Sequence, residues 1–155
     1  SRPCTTCWKL FSNIVFGTDF SKAADSAFMF ASKLAREVGA KLHMFHACDI
    51  TASSAGQALG QEEIEKLIEG SRKKMEKRYA AKMNGYDNYG IEVREGVPYI
   101  EILKYAREKM GDLIVMAHHT REVDPEEAVL GTTVEQVVLR SACPVASVNH
   151  PDKVA

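Results

Sequence analysis

Short apolar runs alternate along this chain with longer segments whose apolar residues recur every three to four positions. The runs are Asn13 to Gly17, Lys41 to Ala47, Ile91 to Glu95, Leu113 to Ala117 and Val145 to Val148. Leu113-Ile114-Val115-Met116-Ala117 has no polar alternation, as expected of a strand buried on both faces of a parallel sheet. Between the first two runs, Ala24, Ala27, Phe28, Ala31, Leu34, Ala35 and Val38 keep a helical spacing. Ser21 is placed to cap the start of that helix and Gly39 to stop it. The small alanines allow the helix to lie close on a sheet.

Three more helical segments follow. Glu62 to Asn84 is predicted as one long helix with Ile64, Leu67, Ile68, Met75, Tyr79 and Met83 on its buried stripe. Pro98 leads a helix through Met110, with Ile100, Leu103, Tyr105 and Ala106 as buried positions. Gly131-Thr132-Thr133 opens the last one, Val134 to Leu139, before Cys143-Pro144 closes it. Five strands alternating with four helices predict a doubly wound, three-layer α/β/α fold with a parallel sheet covered on both faces. The expected core includes Ile14, Val15, Phe16, Ala31, Leu34, Leu113, Ile114, Val115, Val134, Val138 and Val145.

The chain has 155 residues, 45% of them hydrophobic and 26% charged, which suits a single domain with one good core. That domain is expected over 11–150, with an N-terminal tail over 1–10 and a short C-terminal tail over 151–155. A net charge of −1 provides no field that would draw it to nucleic acid or an anionic membrane. No apolar run approaches the roughly 18 residues of a membrane span, and the first residues lack the apolar stretch of a signal peptide. Four cysteines in a domain of this size point to a reducing, cytoplasmic setting rather than a disulfide scaffold. Cys4 and Cys7 form a C-x2-C pair, but no second ligand pair at finger spacing accompanies them, so two thiols on a tail are the preferred reading. No metal site is predicted.

Candidate chemistry gathers at strand ends. A Gly-Thr step opening a helix offers free backbone N–H groups, a hydroxyl and the positive end of the helix dipole, and so a site for an anion. Gly131, Thr132 and Thr133 supply it here. Thr18-Asp19-Phe20-Ser21 follows the first strand; Asp19 can cap backbone N–H groups there or meet a ligand, and both readings stand. His118 and His119 follow the fourth strand, but neighbouring residues on a strand face opposite ways, so the pair is poorly placed to chelate one ion. Structural roles are preferred for them and for His43 and His46. The run from Arg78 back through Lys73, Lys74 and Lys77 shares its helix with Glu62, Glu63, Glu65, Glu69 and Glu76, which reads as a solvated face.

The block from Gly111 to Val148 (strand, Gly-Thr-Thr helix start, helix, Cys-Pro-Val and a closing strand) resembles the C-terminal half of the universal stress protein family. The resemblance extends from about Phe11 to Val148. It implies a Rossmann-like, adenine-nucleotide-binding architecture with strand order 3-2-1-4-5. It implies a site between the loops after the first and fourth strands, for ATP or AMP. In that site Asp19 lies on the base and ribose side, Ala47 offers backbone to the adenine, and Gly131, Thr132 and Thr133 hold phosphates. The family's Gly-x2-Gly falls on Ala117 and near Thr120, where this chain has no glycine, and the spacing from Met116 to Gly131 is one residue longer than usual. A Cβ at either place narrows the approach of a phosphate to the backbone. The loop also carries Glu122, Asp124, Glu126 and Glu127 against Arg121, a net −3 over those residues.

The expected function is a universal stress-type regulatory protein with a degenerate adenine nucleotide site. The alternatives are a dimeric interaction protein that no longer binds ATP, and a weak ATPase. A phospho-receiver reading fails, because its acidic pair, its phosphoacceptor and its lysine fall on a lone Asp19, on Glu95-Gly96 and on Asn149-His150. Val145 to Val148 is an apolar edge strand with no proline or lysine inside it, and such edges are usually paired or covered. A homodimer through this strand is therefore expected, as the resemblance also implies.

Overall fold

A computed structural model of the protein describes residues 11–50, 60–118 and 133–149. Its elements are β1 (Asn13–Gly17), α1 (Lys22–Val38), β2 (Lys41–Cys48), α2 (Gln61–Arg78), a 3-10 turn (Ala80–Lys82), β3 (Tyr89–Glu95), α3 (Pro98–Glu108), β4 (Leu113–His118), α4 (Thr133–Arg140) and β5 (Val145–Asn149). The strands form one sheet in the order β3-β2-β1-β4-β5, and every pairing is parallel. The expected tails, and Cys4 and Cys7 with them, lie outside the described residues.

Alternation along β1 divides the core in two. Ile14 and Phe16 pack against α1 and the end of α2, with Ala27, Phe28, Ala31, Met75 and Tyr79. Val15 points the other way and joins Ile102, Tyr105, Ile114, Met116, Val134 and Val137 under α3 and α4. All three β1 side chains are fully buried, which explains the unbroken apolar run. The start of β1 is tied on both sides. Ser12 and Asn13 donate their backbone N–H groups to Asp112 Oδ2 at 2.7 and 2.8 Å, and Asn13 Oδ1 lies 3.0 Å from His43 Nε2.

α1 is delimited as its sequence predicts. Ser21 Oγ accepts from Ala24 N at 3.1 Å, and Gly39 ends the helix in the left-handed region at φ 69°. Arg78 at the end of α2 makes two hydrogen bonds to Asp25 in the first turn of α1, Nε to Oδ1 at 2.8 Å and Nη2 to Oδ2 at 2.9 Å. Burial alone would raise the Asp25 carboxyl, but the Arg78 hydrogen bond and charge outweigh it and hold the group below its ordinary 3.8.

Four expectations need correction. The long helix stops at Arg78, not Asn84, because the chain turns there to insert Tyr79, fully buried between Phe16 and Phe28, into the core. Leu67 is 45% exposed; at about 100° per residue it lies roughly 60° away from the line through Ile64, Ile68, Ser71 and Met75. Ile100 faces solvent and Ile102 is buried in its place, in phase with Tyr105 and Ala106. On α4 the buried partner of Val134 is Val137, not Val138, which is 53% exposed, because the helix leans on α3 as well as on the sheet. Leu34 and Val145 are half-buried at the margins of the core.

His43 is buried in β2 against Tyr105, and burial, with the charges of Lys41 and Lys109 adding to it, pushes its pKa down to about 4. The unfolded chain therefore binds a proton between pH 6.5 and 4 that the folded protein does not. The stability this group contributes is complete above pH 6.5 and is lost as pH falls toward 4. Urea unfolding across that range is expected to show a falling free energy, and His43→Gln to show a shallower fall. An unchanged slope in the variant would assign the acid sensitivity elsewhere.

Candidate functional site

In a doubly wound sheet the strand order reverses where one crossover goes to each side, and a crevice opens beyond the carboxyl ends of the strands at that point. Here it lies between β1 and β4. The register sets Gly17, the end of β1, opposite Phe45 on one side and Met116 on the other, so β2 and β4 run on past it. A cavity of about 160 Å³ sits there, of the order that accommodates one aromatic ring. Phe45, Ile102, Met116 and Val134 give it an apolar floor, and Asp19, His46, His118 and Thr133 stand among its polar lining. Gly17 lets Ile102 come close: a Cβ on it would lie 2.4 Å from Ile102 Cδ1, so that side chain would have to shift.

The loop after β1 is built around Thr18. Its buried hydroxyl lies 2.7 Å from Tyr79 Oη and accepts from Phe20 N at 2.9 Å. Phe20 takes φ 64°, a conformation that costs a bulky residue on the order of 1 kcal/mol or more. Contacts on several sides hold it there. Its ring lies 4.4 Å from that of His46, stacks at 6.3 Å on Tyr79, and carries Lys74 Nζ 4.5 Å from its centre. The turn leaves Asp19 exposed at the rim, where Oδ1 accepts from Ser21 N at 3.0 Å. Burial pushes the Tyr79 phenol up to about 12, so it stays protonated.

His46 is also part of this loop's support. Its Nδ1 lies 2.7 Å from the Thr18 carbonyl, which can only accept, so Nδ1 carries the proton. Burial lowers its pKa, partly offset by that hydrogen bond and by Asp19, and the ring is neutral at pH 7 with Nε2 as an acceptor.

Of the residues expected at the site, Asp19, Ala47, Ala117 and Thr133 all line this cavity. Thr120, Gly131 and Thr132 lie outside the described residues. The sequence reading did not include Phe45, His46, Ile102, Met116, His118 or Val134 in the site. Two of them had a signal: His46 adjoins Ala47 at a strand end, and His118 follows Met116 by two on a strand. Among the described residues no three His, Cys, Asp or Glu side chains gather as a metal site, and no helix is long and apolar enough to cross a membrane. Cys48 and Cys143 are free thiols, and Cys143 is half-buried with Sγ 3.4 Å from Ser141 Oγ.

Comparison with known proteins matches residues 10–149 to the universal stress protein family model. Universal stress protein MJ0531 of Methanocaldococcus jannaschii is 32% identical over 152 residues, covering 93% of this chain and 85% of that protein. The structure of protein MJ0577, from the same organism, superposes with a TM-score of 0.75 at 25% identity, over 90% of this chain and 96% of the other. A universal stress protein in complex with cAMP gives a TM-score of 0.69 at 20% identity, over 90% and 97%. One from Archaeoglobus fulgidus in complex with dAMP gives 0.57 at 17%, over 90% and 98%.

The Thr18–Tyr79 contact joins the loop that carries Asp19 to the end of α2. Thr18→Val and Tyr79→Phe are each expected to cost about 1–2 kcal/mol, because each leaves a buried hydroxyl or amide unpaired. The double variant should cost less than the two together, since both groups are then gone. Chemical denaturation of the four proteins measures the coupling, and strict additivity would show that the two hydroxyls do not depend on each other.

Proposed function

The chain belongs to the universal stress protein family, and on that premise we propose that it is a cytoplasmic regulatory protein that binds an adenine mononucleotide in the β1/β4 cleft. The observation that carries this reading is the cavity itself: an apolar floor of one-ring size at the switch point, with a carboxylate and a helix start at its edge. The floor suits the faces of a purine. Asp19 suits ribose hydroxyls, and the Ala47 backbone suits the edge of the base. Thr133 and the residues before it, Gly131 and Thr132, suit a phosphate. The cAMP and dAMP complexes of two relatives with this fold support the same ligand class.

The site is degenerate toward longer phosphate chains. Ala117 and Thr120 replace glycines, and the loop that follows carries a net −3 from Arg121 to Glu127. A like charge several ångströms from a polyphosphate costs on the order of 1 kcal/mol in a partly shielded cleft. The base and ribose carry no charge for these acids to oppose, so AMP and adenosine lose less than ATP does. The acids also keep open a second reading, a dimeric interaction protein that no longer binds ATP.

Titration calorimetry with ATP, ADP and AMP is expected to show AMP bound at least as well as ATP. The Glu126→Lys, Glu127→Lys double variant is expected to gain ATP affinity, mostly at low salt, because exposed charges are screened beyond about 10 Å at 0.1 M. Micromolar ATP binding by the unmodified protein that ignores salt would refute the charge reading, and no binding to either protein would favour the interaction protein.

Self-association is the other half of the proposal. β5 is an edge of the sheet, and α4, which covers it, exposes Val138 at 53% and Leu139 at 72%. A homodimer through Val145–Val148 would pair the open edge and shield apolar surface beside it. Analytical ultracentrifugation is expected to show a dimer at concentrations on the order of tens of micromolar, the range of a weak but specific association; a monomer there would count against it.

A further inference from the structure

Three histidines lie among the described residues, and the protein itself holds two of them. His43 Nε2 lies 3.0 Å from Asn13 Oδ1, and His46 donates to the Thr18 carbonyl. His118 differs. It lines the same cavity, half-buried, and among the described residues its ring has no hydrogen-bond partner. A neutral imidazole has one donor and one acceptor, and those of His118 are left to solvent or to a ligand in the cavity.

Its direction follows from the strand. Leu113, Val115 and Ala117 belong to the core face under α1, whereas Ile114 and Met116 belong to the face under α3 and α4. Successive Cβ atoms on a strand alternate, so His118 stands on the face of Met116, toward Thr133 and Val134 at the start of α4. The apolar floor lies deeper, at Met116 and Ile102. The imidazole therefore shares the cavity with the first residues of α4, a helix end whose dipole favours negative charge.

We propose that His118 is a specificity-determining residue that hydrogen-bonds the phosphate of a nucleoside monophosphate, a role the missing backbone approach at Ala117 leaves to a side chain. The proposal rests on the adenine mononucleotide reading of the cleft. An imidazole N–H donates to a phosphate oxygen, and the ionised phosphate makes that bond charge-assisted. One phosphate is served by one ring and one helix start. Each further phosphate adds charge of the same sign as the acidic residues that follow in the sequence, Glu122 and Asp124 among them.

The test compares adenosine, AMP and inorganic phosphate by calorimetry on the unmodified protein, His118→Ala and His118→Gln. AMP affinity is expected to fall about tenfold in His118→Ala, the size of one lost charge-assisted hydrogen bond. Adenosine affinity should stay the same, and His118→Gln, a neutral donor, should recover part of the loss. Thermal unfolding of both variants should match the unmodified protein, since no partner inside the described structure is removed. An equal loss for adenosine and AMP would mean that His118 only shapes the pocket, and unchanged AMP binding in His118→Ala would mean that the phosphate lies elsewhere; either overturns the proposal. If phosphate binds through His118 but adenosine does not bind at all, the adenine reading fails while the phosphate role stands. If none of the three binds, both fall.

Discussion

Every other strand of this sheet is placed, directly or through one neighbour, against β1. Its three central side chains are fully buried and point alternately to the two faces, and β1 holds the central position in the order, so it joins both halves of the core between β2 and β4. A one-residue slip would exchange Ile14 and Phe16 with Val15 and present each to a face shaped for the other. The ties of Asp112 and His43 to the start of the strand oppose such a slip. The same register then decides what happens at the other end, where Gly17, Phe45 and Met116 come level and the crevice opens.

The crevice is shaped by what β1 ends in. Gly17 has no side chain, and Ile102 of α3 comes close enough to form the floor. Thr18 turns inward and is held by Tyr79, while Phe20 adopts a strained conformation that rings and a lysine keep in place. Asp19 is thereby held at the rim by a turn whose supports come from β2 and α2. The local strain is stored where the site is, as is usual when a loop must present a group at a fixed place.

The polar groups around the cavity fall into two sets. Thr18, bonded to Tyr79 behind it, and His46 have their hydrogen bonds within the protein and serve its shape. His118 has none among the described residues and faces the start of α4. This contrast distinguishes a histidine that supports the loop from one available to a ligand, and neither composition nor spacing could show it.

Much of the fold was legible in the residues. Unbroken apolar runs, a serine cap and a left-handed glycine are local matters, and β1, β4 and α1 follow from them directly. The strand order came from the family likeness, and the sheet agrees with it. Helix phase was legible only where one stripe dominates. Leu67, Ile100 and Val138 were assigned to the core because a helix with several apolar residues can be turned by tens of degrees at little local cost, and only its neighbours settle the angle. The end of α2 was missed for a similar reason: Tyr79 leaves the helix to meet Thr18, 61 residues away in the chain. Around the cavity, Asp19, Ala47, Ala117 and Thr133 were named through the family likeness. The apolar floor, and the different roles of His46 and His118, could not be. Sequence alone determines which stretches are strands and helices, because that depends on period and caps. Tertiary structure decides which side chains meet in the cleft and which of them are already satisfied, because that depends on the register of β1 with two strands far from it in sequence.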